Sequence, residues 1–310
     1  MLNNQNTNNA ESINSGMLTF KDLLDTLMEA KFFIISLTVI SIISSIIFAL
    51  SQEDIYKSKS LVSVQGSGDS GISSSLSQYS GLANMAGIRL PSGSNSSDKA
   101  SLIIETISSR IFFKSLIEKY VILPAMMASK GYDKKSQELI YDSSSFDQIK
   151  SVWLKKEPSF TKSHQVFLGM LSLRQDPKTK FISIEIDHQS PFFAHFLLDT
   201  IIQEINITMR NQDLQETQLA IDYLSVQVGE TQIQDLRKSF NALITAQLEK
   251  KMMADIKKEY ALKIIDPPNI PEFKFKPQRS TIVIFSTLFG FFISIFIVFF
   301  RKFLQILRSE

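Results

Sequence analysis

Residues 266–300 read DPPNIPEFKFKPQRS and then TIVIFSTLFGFFISIFIVFF. The first part holds Pro267, Pro268, Pro271 and Pro277, four of the nine prolines in the chain. Proline fixes φ and lacks an N–H, so this part predicts a stiff, extended spacer and not a helix or an inner strand. Lys274, Lys276 and Arg279 make it basic. The second part has no charged residue and, at ~1.5 Å per residue, is long enough to cross a bilayer core of about 30 Å.

A second charge-free run, residues 32–50, lies near the other end. A pair of crossings puts both termini on one side of a membrane and residues 51–280 on the other as one block. That block can hold one large domain or two small ones. Ala49-Leu50-Ser51 weakly resembles a signal-peptide cleavage site, but the run exceeds the usual apolar region of about 7–15 residues, and a long polar stretch precedes it. It therefore reads as an uncleaved anchor. Lys21, Lys31, Arg301, Lys302 and Arg308 flank the spans on the terminal side, against Lys57, Lys59, Lys274, Lys276 and Arg279 on the other. Charge leaves orientation tied. Long domains cross regardless of charge, and the arrangement with the tails in the cytoplasm is the expectation adopted. A net charge of +2 gives no nucleic-acid signal, and the absence of cysteine excludes disulfides and thiolate zinc sites.

Residues 1–16 are rich in Asn and Ser and read as a disordered tail. Thr19 can cap a short amphipathic helix with Leu23, Leu24, Leu27 and Met28 on one face. Residues 56–65 alternate like a strand, and residues 66–97, rich in Gly and Ser, read as loop without any phosphate-cradle spacing. From Ser97-Asp98 an apolar stripe through Ile103, Ile107, Phe112 and Leu116 predicts one helix, ended or bent at Pro124. Residues 133–154 read as more helix, with Trp153 as an anchor. Residues 166–174 and 181–187 read as a strand hairpin around Asp176-Pro177-Lys178-Thr179.

Ser190 as cap and Pro191 at the first helical position open the longest feature. From Phe192 to Tyr260 there is no proline and a single glycine, Gly229. Residues 192–235 carry acids against one base, Arg210, while residues 236–259 are mainly basic. Antiparallel arms folded near Gly229 would bring the two blocks together, each exposed pair adding only ~0–1 kcal/mol. That hairpin is favoured over one continuous helix. Residues 260–265 read as a strand returning to the spacer. The fold expectation is an α+β membrane protein: an α/β base near the membrane with a long helical protrusion, between two transmembrane helices.

Ser41 and Ser45 in the first span, and Gly290 and Ser294 in the second, are small residues that let helices approach closely. His188 and His195 lie near a strand–helix junction with Asp187, but no HExxH or HxH spacing supports a metal, and no nucleophile elbow is present. Acids on the long helix read as solvated faces. No cofactor is expected, and the chain reads as a binding or assembly protein, not an enzyme.

The order TFKDLLDTL, first span, SQYSGLANMAGI, SSRIFF, long helical region and IDPPNIPEFKFKP before a glycine-containing span resembles the chain-length determinant family of bacterial surface polysaccharides, the Wzz-type polysaccharide co-polymerases. The resemblance implies an inner-membrane protein with both termini cytoplasmic, a periplasmic middle and a ring-like homo-oligomer. It implies control of polymer length with a Wzy-type polymerase acting on lipid-linked polysaccharide such as O-antigen. Pro268, Pro271 and Pro277 match the family's proline-rich motif and Gly290 its first membrane glycine. Ser294 replaces a second glycine, and Lys276 a serine. A kinase domain of the kind some relatives carry has no room in the short tail.

The layout expected is a tail and amphipathic helix at 1–31, a span at 32–50, the periplasmic domain at 51–280, a second span at 281–300 and a tail at 301–310. Within the periplasmic domain the base takes about 51–190 and 260–266, the protrusion about 191–259 and the spacer 266–280. Two other functions share this layout. An adaptor for capsule or polysaccharide export would differ in its partner. A ligand sensor would need a cytoplasmic output that the short tails do not offer.

Overall fold

The computed structural model describes residues 20–65 and 96–309. The Asn-rich tail, the Thr19 cap and most of the Gly/Ser-rich stretch lie outside the described residues. The chain divides into two compact units, residues 1–53 with 276–310, and residues 54–275.

The first unit is helical: α1 (Phe20–Glu29), α2 (Lys31–Ser51) and, from the far end of the sequence, a long helix Arg279–Ser309. Lys31–Ser51 and the stretch Arg279–Gln305 are each long and apolar enough to cross a membrane. The second helix starts just ahead of the expected span at 281 and continues unbroken past Phe300, because Arg301-Lys302 is followed by the helix-compatible run FLQILRS. α2 packs along this helix.

The second unit is built on a four-stranded antiparallel sheet, order β6-β7-β1-β8, from β1 (Tyr56–Val64), β6 (Leu171–Gln175), β7 (Ile182–His188) and β8 (Leu262–Asp266). Central β1 runs from Tyr56 opposite His188 to Val62 opposite Ile182, and a bulge between Leu61 and Val62 shifts its register on β8. Alternation fixes the faces. Val62, Ile182, Ile184 and Ile186 are buried, whereas Lys57, Lys59, Glu185 and Asp187 share the opposite face. There Lys57 Nζ lies 2.6 Å from Glu185 and 3.9 Å from the Phe275 ring centroid. Burial pushes the Glu185 carboxyl up, but the Lys57 hydrogen bond and the charges of Lys57 and Lys59 outweigh it and hold the group below its ordinary value.

Helices cover the apolar face. They are α3 (Ser96–Ser108), α4 (Arg110–Lys119), α5 (Leu123–Met127), α6 (Phe160–Met170) and the first half of α7 (Pro191–Glu230). Leu197, Leu198, Ile201, Ile202 and Ile205 of α7 meet the sheet residues together with Ile103, Ile107, Phe113, Leu116 and Phe167. Each such fully buried side chain contributes about 1.5–3 kcal/mol.

Four sequence expectations are corrected. The helix from Ser97 is two helices, because Ser109 caps α4, its Oγ accepting the Phe112 N–H at 3.2 Å. Pro124 sits in the first turn of short α5 instead of ending the stripe. Residues 133–154 are not helical but form two small hairpins, β2 (Ser129–Asp133) with β3 (Glu138–Tyr141), and β4 (Phe146–Asp147) with β5 (Val152–Trp153). Asp133, Asp142 and Asp147 each accept a backbone N–H two residues ahead, and these Asx turns displace the helix. Trp153 packs edge-on to Phe146 at 5.2 Å within the second hairpin. Residues 166–170 end α6, capped by Ser159, and only residues 171–175 pair with β7.

α7 and α8 (Gln234–Ile256) pack together as an antiparallel hairpin. Ser190 Oγ accepts the Phe193 N–H at 3.3 Å with Pro191 at the first position, as the sequence predicts. At ~1.5 Å per residue α7 is about 60 Å long and α8 about 35 Å. The chain reverses at residues 231–233, where Thr231 and Ile233 are both extended. Gly229 is therefore not the turn; it lies in the last turn of α7, and a Cβ there would meet nothing within 4 Å.

Candidate functional site

The crossing of the two apolar helices is built on small residues. A Cβ on Gly290 would lie 2.5 Å from both Cβ and Oγ of Ser41, so only glycine fits at this approach. Ser41 Oγ–H donates across the crossing to Ser286 O at 2.9 Å. Ser45 and Ser294 are buried but satisfy their hydroxyls within their own helices, on Ile42 O and Phe291 O. Farther along the same unit, Lys302 Nζ donates to Thr26 Oγ1 of α1.

The spacer runs beside β1 after β8 has ended. Proline cannot donate to a ladder, so side chains of β1 make the bonds instead. Ser60 Oγ–H donates to Asp266 O and Ser58 Oγ–H to Asn269 O, each at 2.7 Å, while Asn269 Oδ1 accepts the Lys59 N–H at 3.0 Å. Both serines are fully buried. Pro267 is exposed, Pro268 and Pro277 are half-buried and Pro271 is buried. Ladder bonding resumes at Phe275, whose N–H reaches Ile55 O at 2.8 Å.

The hairpin arms are tied by charge and by the chain that returns from them. Lys250 bridges to Asp213 at 2.8 Å, Lys251 Nζ donates to Gln218 at 2.7 Å, and Arg237 Nε donates to Val228 O at 3.2 Å. Asp213 also accepts the Tyr260 hydroxyl at 2.5 Å. Burial, then this bond and charge, push the Tyr260 hydroxyl far above its ordinary value, so it stays a donor.

Two residues on α7 escaped the sequence reading. Glu204 is buried and not on a solvated face; Lys119 Nζ lies 2.5 Å away and the Tyr120 hydroxyl donates at 2.9 Å. Asn206 is buried, its Oδ1 accepting the N–H groups of Ala261 and Leu262 at 2.8 Å and its Nδ2 donating to Ile202 O and Leu262 O. It thereby fixes where the returning chain joins the sheet. The signal was its position: Asn206 continues the apolar stripe Leu198, Ile202, where a polar residue must find partners.

His188 and His164 are structural, whereas His195 has its Nδ1 buried without a hydrogen-bond partner. His188 Nε2–H donates to Ala125 O at 3.0 Å and its Nδ1 accepts the Ser190 N–H at 3.0 Å, which requires the neutral ring. Burial outweighs these bonds and lowers its pKa to about 4. His164 donates to Ser108 O among Phe113, Phe160 and Phe167. Among the described residues no group of three His, Cys, Asp or Glu is arranged to hold a metal ion.

Residues 16–120 match the family profile "Chain length determinant protein" (Wzz), and residues 233–303 match "G-rich domain on putative tyrosine kinase" (GNVR). No curated protein matches the sequence. Among solved structures, a full-length bacterial polysaccharide co-polymerase is similar at TM-score 0.41 and 14% identity, covering 94% of this chain and 100% of its own. A fragment of WzzB, a polysaccharide co-polymerase from Salmonella Typhimurium, is similar at TM-score 0.27 and 12% identity, covering 72% of this chain and 100% of its own. A variant of the Shigella flexneri lipopolysaccharide O-antigen chain-length regulator is similar at TM-score 0.25 and 10% identity, covering 71% and 100%. The likeness to chain length determinants rests on the profile match over residues 16–120.

Proposed function

We propose that this chain, whose residues 16–120 match the chain length determinant profile, regulates polysaccharide length without catalysis, at the bacterial inner membrane. In this reading both termini are cytoplasmic, residues 51–280 are periplasmic, and the partners are a Wzy-type polymerase and its lipid-linked product, O-antigen or a related polymer. The observation that carries the reading is the chain length determinant match over residues 16–120. The two membrane-length helices support it.

Identical subunits form a closed ring through heterologous contacts. Exposed apolar side chains on the hairpin, among them Leu219, Val226, Met252 and Ile256, supply surface for a neighbouring subunit. The ring holds the polymerase or the growing chain for a limited time. The Gly290–Ser294 face, with Ser41 and Ser45, and the spacer prolines 267, 268, 271 and 277 couple the subunit to the polymerase. Liposomes carrying the Wzy-type polymerase and lipid-linked repeat units provide the test. Product lengths should be broad with polymerase alone and clustered once this protein is added. An unchanged product distribution would contradict the proposed partnership.

A further inference from the structure

The β4–β5 hairpin turns a ring cluster inward and its aliphatic side chains outward. Phe146 is buried, with the Tyr141 ring at 5.5 Å and the Trp153 ring at 5.2 Å. Asp147 Oδ1 accepts the N–H groups of Ile149 and Lys150 at 3.0 and 3.1 Å, which braces the tip. Ile149 at that tip is 97% exposed, and Val152 and Leu154, on either side of Trp153, are 54% and 58% exposed. Lys150, Lys155 and Lys156 are exposed as well, and none of them makes an ion pair among the described residues. Residues 148–156, QIKSVWLKK, thus combine three cations, no acid and outward aliphatic chains.

A chain of bonds fixes which end of the sheet carries this hairpin. Tyr56 of β1 pairs with His188, and His188 reaches Ala125 O of α5 at 3.0 Å. Ala128 O accepts the Asp142 N–H at 2.8 Å, and Ser145 O accepts the Leu154 N–H at 2.9 Å. The same end holds Asp54, bridged by Lys134 at 3.9 Å, and Ile55, whose carbonyl accepts the Phe275 N–H. Residues 54 and 275 are where the chain enters and leaves this unit. α2 ends at Ser51, five residues before Tyr56, a reach of at most about 18 Å. Arg279, which opens the other membrane-length helix, follows Phe275 by four residues. A bilayer crossed by these helices is therefore tethered to the end of the sheet that bears the hairpin. Composition favours the same occupant. Lysine is depleted from the buried core of protein interfaces. At a bilayer the mixture is favourable: aliphatic chains enter the boundary below the headgroups, lysine stems lie along them, and tryptophan settles at that level. Three cations without a counter-charge complement anionic headgroups.

We propose that the β4–β5 hairpin docks on the bilayer that the chain's own helices cross, with Ile149, Val152 and Leu154 in the interface and Lys150, Lys155 and Lys156 on anionic headgroups. This goes beyond the length-control reading and needs only that the two helices are embedded. Trp153 is the chain's one tryptophan and reports on the hairpin directly. The test places the full chain in nanodiscs whose lipids carry bromine on the acyl chains, a short-range quencher of tryptophan, and compares emission with unbrominated discs. Trp153 should be quenched, more strongly in anionic than in zwitterionic lipid, and the difference should vanish at high salt. Ile149→Ser with Leu154→Ser should abolish most of the quenching. Lys150→Gln, Lys155→Gln and Lys156→Gln together should bring the anionic value down to the zwitterionic one. These five positions are exposed, so melting temperature should not change. A variant with Trp153→Phe and Phe292→Trp carries its tryptophan on the second apolar helix and should be quenched in every brominated disc. Quenching of that variant without quenching of Trp153 would overturn the docking and leave the membrane reading intact. No quenching of either would overturn both. Wild-type quenching unchanged by the serine and glutamine variants would overturn the docking too. So would a Trp153 emission that shifts only when subunits dissociate, which would assign the hairpin to a second copy.

Discussion

Two residues translate position directly into behaviour. Gly290 has no room for a methyl group, because Ser41 Cβ and Oγ both stand 2.5 Å from where it would go. The obstacle includes the root of a side chain, so the helices must separate, at a cost of about 1–3 kcal/mol. Gly290→Ala should lower the melting temperature of the purified protein, and adding Ser41→Gly should recover most of the loss. Failure of the second change to rescue the first would show that the crossing is not set by this pair. His188 makes a different claim. Its pKa falls from the ordinary 6.5 to about 4 on folding. Between those values the unfolded chain binds a proton that the folded chain refuses, so stability declines as pH drops through this window and is whole above it. The loss reaches about 3 kcal/mol by pH 4. Unfolding midpoints measured between pH 7 and pH 4 should follow that slope, and His188→Gln should flatten it.

At the scale of elements, the hairpin shows what could be read from sequence and what could not. Ser190-Pro191 marks the start of α7 in the sequence, because a cap followed by proline is a local signal. The reversal at residues 231–233 carries no such signal. Thr231 and Ile233 simply take extended backbone angles that any residue adopts, whereas the nearby glycine suggests a turn two residues earlier. Since Gly229 is helical and its missing side chain would face open space, Gly229→Ala should stabilise the protein by about 0.5–1 kcal/mol and leave polymer length unchanged. A loss of stability would place the turn at Gly229 after all. Residues 133–154 read as helix in the sequence for a related reason. They contain neither proline nor glycine, and the turns come from aspartate side chains bonding to nearby backbone. The membrane crossing was legible as a set of small residues, but which serine reaches across required the geometry: Ser41 does, whereas Ser45 and Ser294 bond within their own helices. Periodicity marks Asn206 as buried but not its partner Leu262, and the pairing of Glu204 with Lys119 leaves no local trace at all.

At the scale of the whole molecule, the proposed function has two apolar helices, a proline-rich spacer and a sheet-based unit with a helical hairpin limit the length of a polysaccharide. The most direct measurement is the surface-polysaccharide ladder of cells lacking the protein, before and after the gene is restored. The account predicts a broad, unclustered ladder in its absence and a single modal cluster on restoration. Complete loss of surface polymer would contradict it in favour of export, and an identical ladder in both states would remove polysaccharide length from its function.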